Sequence, residues 1–272
     1  MRLGGFVIHG DNVDTLAACL DSLRQVCDEI VAVDSMSADG SADLTAQRRI
    51  RTLRKSWRGY GAARAAAADA LRGCDYLFFL DSDEHLLPPS VRDLRTWRDS
   101  QPTAPLYRIR RRNWAELSGR TFLYRTDTRA RLIRYDAAKW TPQMIVHEAL
   151  SSGRSRLTKV VVEHRFATSL EGRRAKDDRY ALLWAIRAAE EGRRPKPYWV
   201  ERCAHFLRDL VIEGALFRGG LEAIRLAQVV SRQHAQKHAY LRAIRAGAYE
   251  GLISAFRAGQ YEKLFQLEGR AH

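Results

Sequence analysis

Asp81 and Asp83 stand two residues apart in the stretch YLFFLDSDEHLLPP (76–89), directly after five apolar residues and directly before Glu84 and His85. Carboxylates crowded at the end of an apolar run cost free energy unless positive charge is held beside them. In a turn, Asp81 and Asp83 can face one divalent cation, directly or through water, and hard oxygen donors suit magnesium or manganese. A D-x-D tripeptide alone occurs by chance in many exposed turns, so its meaning depends on where the preceding strand delivers it. Asp34 is the second such residue. It closes the stretch EIVAV (29–33) and, with no local duty evident from its neighbours, is available to accept hydrogen bonds from a nucleobase or ribose. Asp39, Gly40 and Ser41 read instead as a turn and the cap of the next helix. Arg129, Arg131 and Arg134 alternate with apolar residues, which suits either phosphate contact or a solvated strand face.

These acids need a scaffold, and the first hundred residues supply one in alternating segments. Phe6, Val7 and Ile8 form a short apolar run, Leu16, Leu20 and Leu23 fall at helical spacing, and residues 29–33 are strand-like. SMSADGSADLTAQ (35–47) predicts a turn and a short helix capped by Asp39 or Ser41. IRTLRKSW (50–57) holds a third strand. GAARAAAADALRG (61–73) is a helix ending at Gly73, because alanine is the best helix former, and YLFFL (76–80) is a fourth strand. Strands alternating with helices imply an α/β fold with a mainly parallel sheet covered on both faces. Ligands of such sheets bind beyond the carboxyl ends of the strands, the edge that Asp34 and Asp81 would share.

Pro88 and Pro89 then open a helix, which Pro102 and Pro105 close. LYRIRRRNW (106–114) and TRARLIRY (128–135) alternate as strands of an antiparallel extension, followed by VHEAL (146–150) and LTKVVVEHRF (157–166). From Ser169 onward the pattern is helical. The expected division is a first domain over residues 1–168 and a basic amphipathic helical region over 169–272.

The 272 residues carry a formal charge of +14. Residues 1–150 hold 23 Lys and Arg against 19 Asp and Glu, and residues 151–272 hold 23 against 13, so the excess lies mainly in the helical part. That suits an Arg-rich solvated surface or an anionic partner: lipid headgroups, a phosphorylated substrate or nucleic acid. Cys19, Cys27, Cys74 and Cys203 lack metal-like spacing or a disulfide pattern, and reduced cytosolic thiols are the expectation. MRLGGFVIHGDN is too polar for a signal peptide, and no apolar run approaches the roughly 18 residues of a spanning helix.

HGDN (9–12), CLDSL (19–23), EIVAVDSMSADGS (29–41), WRGYGAARAAA (57–67) and YLFFLDSDEHLLP (76–88), in this order and spacing, resemble the family 2 glycosyltransferases. Those are inverting enzymes of the GT-A fold, a nucleotide-sugar-binding, Rossmann-like mixed sheet. WRGYG, RLIRY, VHEAL and the helical tail resemble more narrowly the bacterial subgroup that adds a hexose to the lipopolysaccharide inner core. The resemblance implies a UDP-sugar donor, a divalent cation (Mg2+ or Mn2+) and a glycan or glycolipid acceptor. It places Asp11 in the first loop near the nucleotide, Asp34 at the uridine, Arg64 at the base or phosphates, and Asp81 at the ribose or metal. Asp83 would bind the metal that bridges the diphosphate, and His164, from a late strand, would complete metal or diphosphate binding. Relatives commonly carry asparagine after the basic residue; Ala65 stands there in this chain and removes one donor-side hydrogen bond.

Inverting transfer needs a base for the acceptor hydroxyl, drawn from later in the chain. Glu148 is the expected base, with His147 orienting it or contacting phosphate. In the tail, Trp199, Cys203, Phe206, Leu207, Leu210, Val211 and Leu216 occupy one broad helical face within residues 198–217. Core packing is the first explanation for such a stripe. Aromatic and aliphatic residues beside arginines also fit an anionic membrane surface, which would make the enzyme cytoplasmic and peripheral at the inner face of the cell membrane. A metal-dependent nucleotidyltransferase would use similar acids, but GGFVIHGDN is a poor phosphate-cradling loop. A non-enzymatic nucleic-acid-binding protein would explain the charge, yet no base-stacking aromatic platform is present and no nucleic acid is expected as partner.

Overall fold

Apolar runs too short for helices, each followed by a segment of helical spacing, fold as alternating strands and helices. The computed structural model describes residues 1–145 and 155–266. In chain order they form β1 (Leu3–His9), α1 (Val13–Arg24), β2 (Glu29–Asp34), α2 (Ser41–Gln47), β3 (Arg51–Arg54), α3 (Tyr60–Ala70), β4 (Tyr76–Asp81), β5 (Glu84–His85) and α4 (Pro88–Asp99). The long strands β6 (Leu106–Leu117), β7 (Arg120–Arg134) and β8 (Ser155–Ala167) follow. Then come α5 (Leu170–Glu190), α6 (Tyr198–Leu207), a π-helical turn (Arg208–Ile212), α7 (Ala215–Arg245), α8 (Glu250–Arg257) and α9 (Tyr261–Gln266).

The described strands hydrogen-bond in the order β3-β2-β1-β4-β7-β6-β8-β5. The first four are parallel, whereas β4 with β7 and β5 with β8 are antiparallel. His9 on β1 pairs with Asp34, and the neighbouring Ile8 pairs with Asp81. Both acids therefore reach the carboxyl edge of the parallel strands. Side chains alternate across the strands: Val7, Ala32, Phe78 and Leu80 pack with Leu16, Leu20, Leu94 and Trp97 of α1 and α4, while Phe6, Val31, Val33, Leu77 and Phe79 pack with Ala63, Ala67 and Ala68 of α3.

The chain divides into two compact units, residues 1–112 with 127–164, and residues 113–126 with 165–272. The expected boundary after residue 168 thus falls a few residues past the start of the helical unit, and it misses the hairpin segment that belongs there. Ala115, Leu117, Phe122, Tyr124 and Phe166 share one apolar cluster with Leu210, Ala223, Leu226, Ala227 and Val230, all within the second unit. Ser118 and Gly119, with φ of 50° and 73°, form the two-residue turn that lets β6 and β7 pair. In the same unit α5 and α6 pack on α7, which is broken at Gly220 (φ 56°, ψ −130°).

In the first unit, α3 enters the fold through Gly61. Its amide donates to the Met144 carbonyl at 2.9 Å, and a Cβ there would lie 2.2 Å from the Thr141 carbonyl oxygen. Gly61→Val forces α3 off this segment, and the unfolding free energy measured in urea is expected to fall by about 1–3 kcal/mol, as for overpacked sites generally.

Candidate active site

The loops at the carboxyl edge are tied together by carboxylates that accept backbone amides. Asp11 Oδ1 accepts from the Ala38 amide at 2.7 Å, and the Asp39 carboxylate accepts from the Val13 amide at 2.8 Å and the Ser41 amide at 3.0 Å. The N-cap position of α2 is Gly40, with Asp39 supplying the capping oxygen. Asp34 is fully buried and does have a local duty, contrary to the sequence reading: its Oδ1 accepts from the Ser37 amide at 2.9 Å. Arg54 Nε lies 3.5 Å from Oδ2, and His9 Nδ1 lies 3.8 Å from Oδ1. Burial lowers the His9 pKa despite the nearby Asp34, so the ring is neutral at pH 7. Asp34 Oδ2 and His9 Nε2 are buried without a hydrogen bond among the described residues, the condition that a bound ligand would relieve. A cavity of about 250 Å³ at this edge is lined by Ser35, Lys55, Trp57 and Arg58. A larger one, about 620 Å³, lies by Ile30 and Ile50 at the amino ends of β2 and β3, away from the site acids.

At β4 the crowded carboxylates meet guanidinium groups. Asp81 accepts from Arg64 at 3.1 Å and from Arg131 at 2.5 Å. Arg131 also reaches the fully buried Glu84 at 2.5 Å, Arg111 reaches Glu84 at 3.1 Å, and Arg111 forks onto Asp127 at 3.0 and 2.9 Å. Glu84 Oε2 accepts the Asp81 amide at 3.0 Å. The Arg64 and Arg131 guanidiniums also lie over the Phe79 ring, 4.3 and 4.8 Å from its centre.

Burial would raise the Asp81 pKa, but Arg131 and Arg64 more than offset it and hold the carboxyl below the ordinary carboxylate range. Burial would likewise lower Arg131, yet Asp81 and Glu84 keep it firmly protonated. Glu84 is the buried anion of this ladder. Arg131 is a structural cation and not a solvated one, whereas Arg134 is exposed and pairs with Asp136, and Arg129 pairs with Asp127. Arg64 is committed to Asp81 in this arrangement.

β5 pairs with β8 so that Glu84 faces His164, and this brings His164 Nε2 to 3.4 Å from Asp83 Oδ2. Among the described residues no three His, Cys, Asp or Glu side chains converge to hold a metal ion. A carboxylate and an imidazole do fit a hard divalent cation that takes its other ligands from phosphate oxygens and water, the usual manner of magnesium beside a diphosphate. Glu148 and His147 lie outside the described residues.

An α/β sheet that brings acids to the carboxyl edge of its parallel strands, beside a cavity, puts them where open α/β sheets generally bind ligands. The family model described as Glycosyl transferase family 2 matches residues 8–147, more than half of the chain, and the chain belongs to that family. It is 29% identical to the lipopolysaccharide core biosynthesis glycosyltransferase LpsC of Rhizobium meliloti (strain 1021), over 81% of this chain and 84% of that protein. An uncharacterized glycosyltransferase of Rickettsia felis is 27% identical over 31% of this chain and 30% of its own. Among solved structures, residues 1–349 of S. aureus TarS align over 92% of this chain and 93% of that one, with 15% identity and a TM-score of 0.47. Glucosyl-3-phosphoglycerate synthase from Mycobacterium tuberculosis, in complex with Mn2+, UDP and phosphoglyceric acid, aligns over 68% and 78% with 12% identity and a TM-score of 0.43. The fold is of the GT-A type that the motifs implied.

Sequence reading missed Glu84, Arg111 and Arg131 as a unit. One signal was available: the alternation of LYRIRRRNW places Arg111 on the same face as Tyr107 and Ile109, and both are buried. A buried arginine requires a buried carboxylate. Arg131→Met removes the shared cation between Asp81 and Glu84; because Arg64 and Arg111 remain, the loss of stability in urea is expected near the low end for a broken buried pair, about 3 kcal/mol. Asp81 has a depressed folded pKa, so its contribution is complete above its unfolded value of about 4 and is lost as pH falls. The stability gap between the wild type and Asp81→Asn is therefore expected to be full at pH 7 and to narrow below about pH 4 in unfolding titrations.

Proposed function

We propose that the protein is an inverting, metal-dependent hexosyltransferase that moves a hexose from a UDP-sugar to a lipid-linked or lipopolysaccharide-core oligosaccharide, working as a peripheral enzyme at the inner face of the cell membrane. The observation that supports this reading most directly is the Asp83–His164 pair, 3.4 Å apart, two residues beyond Asp81 on the edge where Asp34 is also found. In this reading residues 1–168 carry the donor, metal and base chemistry, and residues 169–272 form the basic amphipathic helical region. The likeness to a lipopolysaccharide core enzyme over most of the chain supports the acceptor class.

Asp34 and Asp11 would position the nucleoside, and Asp34 Oδ2, which accepts no hydrogen bond among the described residues, is suited to accept one from it. Arg64 and Arg131 keep Asp81 ionised and fix its direction, so that the carboxylate meets the ribose or metal without reorganising. Asp83 and His164 would hold magnesium or manganese, which neutralises charge developing on the leaving diphosphate. Glu148 is assigned the removal of the acceptor hydroxyl proton.

In a panel of nucleotide sugars with manganese, one UDP-hexose is expected to raise the apparent melting temperature, since a ligand of the native state stabilises it. Asp83→Ala should lose both the manganese-dependent shift and transfer while its circular dichroism stays that of the wild type. Glu148→Gln should retain the donor-induced shift and lose about 10²–10⁴-fold in turnover, the usual range for a general base. Near-normal turnover in Glu148→Gln would remove that residue from the role.

A further inference from the structure

In the second unit, part of the apolar stripe expected to be core faces water. Trp199 is 67% exposed, Val200 60%, Leu207 57%, Val211 59%, Ile212 81% and Phe217 86%. Val200, Leu207 and Val211 recur at helical spacing along α6 and the π-helical turn, so they form one continuous outward strip, and Trp199, Ile212 and Phe217 broaden it. Of the stripe read from the sequence, Leu210 is buried and Phe206 and Leu216 are partly buried against the core of this unit. The π-helical turn makes the division: Asp209 and Leu210 turn inward while Val211 and Ile212 point out. Contiguous exposed apolar surface of this kind marks an interaction site.

The charge around the strip selects the partner. Of its acids, Asp209 is buried against the Tyr124 hydroxyl and Arg208, Glu201 pairs with Lys196, and Glu213 stands half-buried beside Ile212; residues 193–218 hold six Lys and Arg against these three acids. Arg193, Arg194 and Lys196 are exposed just before α6, Arg193 and Lys196 in surface pairs with Glu191 and Glu201, and the Arg202 guanidinium lies 5.4 Å from the centre of the Trp199 ring. A tryptophan beside an arginine, with aliphatic residues below and cations at the rim, matches the headgroup boundary of an anionic bilayer. A second copy of this basic face would instead bring like charges together. No helix among the described residues is long and apolar enough to cross a membrane.

We propose that residues 199–217 dock the protein on an anionic lipid surface, with Trp199, Leu207, Ile212 and Phe217 entering the headgroup–acyl boundary and the neighbouring arginines and lysine meeting lipid phosphates. This gives the proposed transfer a location but stands on different residues, so its failure leaves the donor and metal tests untouched.

The experiment is co-sedimentation of the full chain with vesicles of phosphatidylglycerol and phosphatidylethanolamine, against vesicles of phosphatidylcholine alone. The wild type is expected to bind the anionic vesicles at least tenfold more strongly, with binding weakened by salt. The triple variant Leu207→Ser, Ile212→Ser, Phe217→Ser is expected to lose at least tenfold of that binding while keeping its circular dichroism and any donor-induced thermal shift. Ile212→Ser alone, at the most open aliphatic position, serves if the triple variant does not fold and should still bind more weakly. Arg194→Gln with Arg202→Gln should weaken binding and flatten its salt dependence. The proposal is overturned if the wild type sediments with neither vesicle, or if the serine variants bind like the wild type. A dimer in light scattering that the serine variants abolish, without vesicle binding, would assign the face to a second copy and overturn it equally.

Discussion

The interaction on which the first unit depends is the buried alternation of carboxylate and guanidinium from Arg64 through Asp81, Arg131, Glu84 and Arg111 to Asp127. Each anion touches two cations, and each interior cation touches two anions. Its members come from α3, β4, β5, β6 and β7. A fully buried Glu84 would be prohibitive alone, because desolvation of an isolated carboxylate exceeds what packing returns. Shared between Arg131 and Arg111, it becomes the point where the parallel half of the sheet is joined electrostatically to the antiparallel half.

That junction also sets the chemistry of the edge. Asp81 is oriented before any ligand arrives, with its charge secured by two guanidiniums stacked on Phe79. The pairing of β5 with β8, which seats Glu84 across from His164, carries Asp83 to the imidazole in the same step. These neighbouring acids thus have different partners: Glu84 is buried between Arg131 and Arg111, Asp83 faces the imidazole, and Asp81 meets Arg64 and Arg131. On the other side of β1, one oxygen of Asp34 closes the Ser37 turn and the other has no hydrogen bond among the described residues.

Much of the parallel half was legible in the chain. Strands β1, β2 and β4 follow apolar runs, α3 follows its alanines, and the placement of Asp34 and Asp81 on one edge follows from parallel pairing, which the βαβ alternation implies. The ladder was not legible, because Arg131 and Glu84 are 47 residues apart and a strand's partners depend on register, which a local pattern does not encode. The unit boundary failed for a similar reason. Residues 113–126 alternate like any hairpin, and only the packing of Phe122 and Tyr124 with Leu210 and Leu226 assigns them to the helical core.

The sequence by itself determined the family, through the order and spacing of HGDN, EIVAVDSMSADGS and YLFFLDSDEHLLP, together with the periodicities that make strands and helices, because these signals are local and carried by residue type. Tertiary structure decided what each charge and each apolar face is for. Arg131 became a buried structural cation, Glu84 its anion, and the stripe at Val200, Leu207 and Val211 a solvent-facing surface. Helical spacing states that one face is apolar; whether protein covers that face depends on what the rest of the chain brings to it.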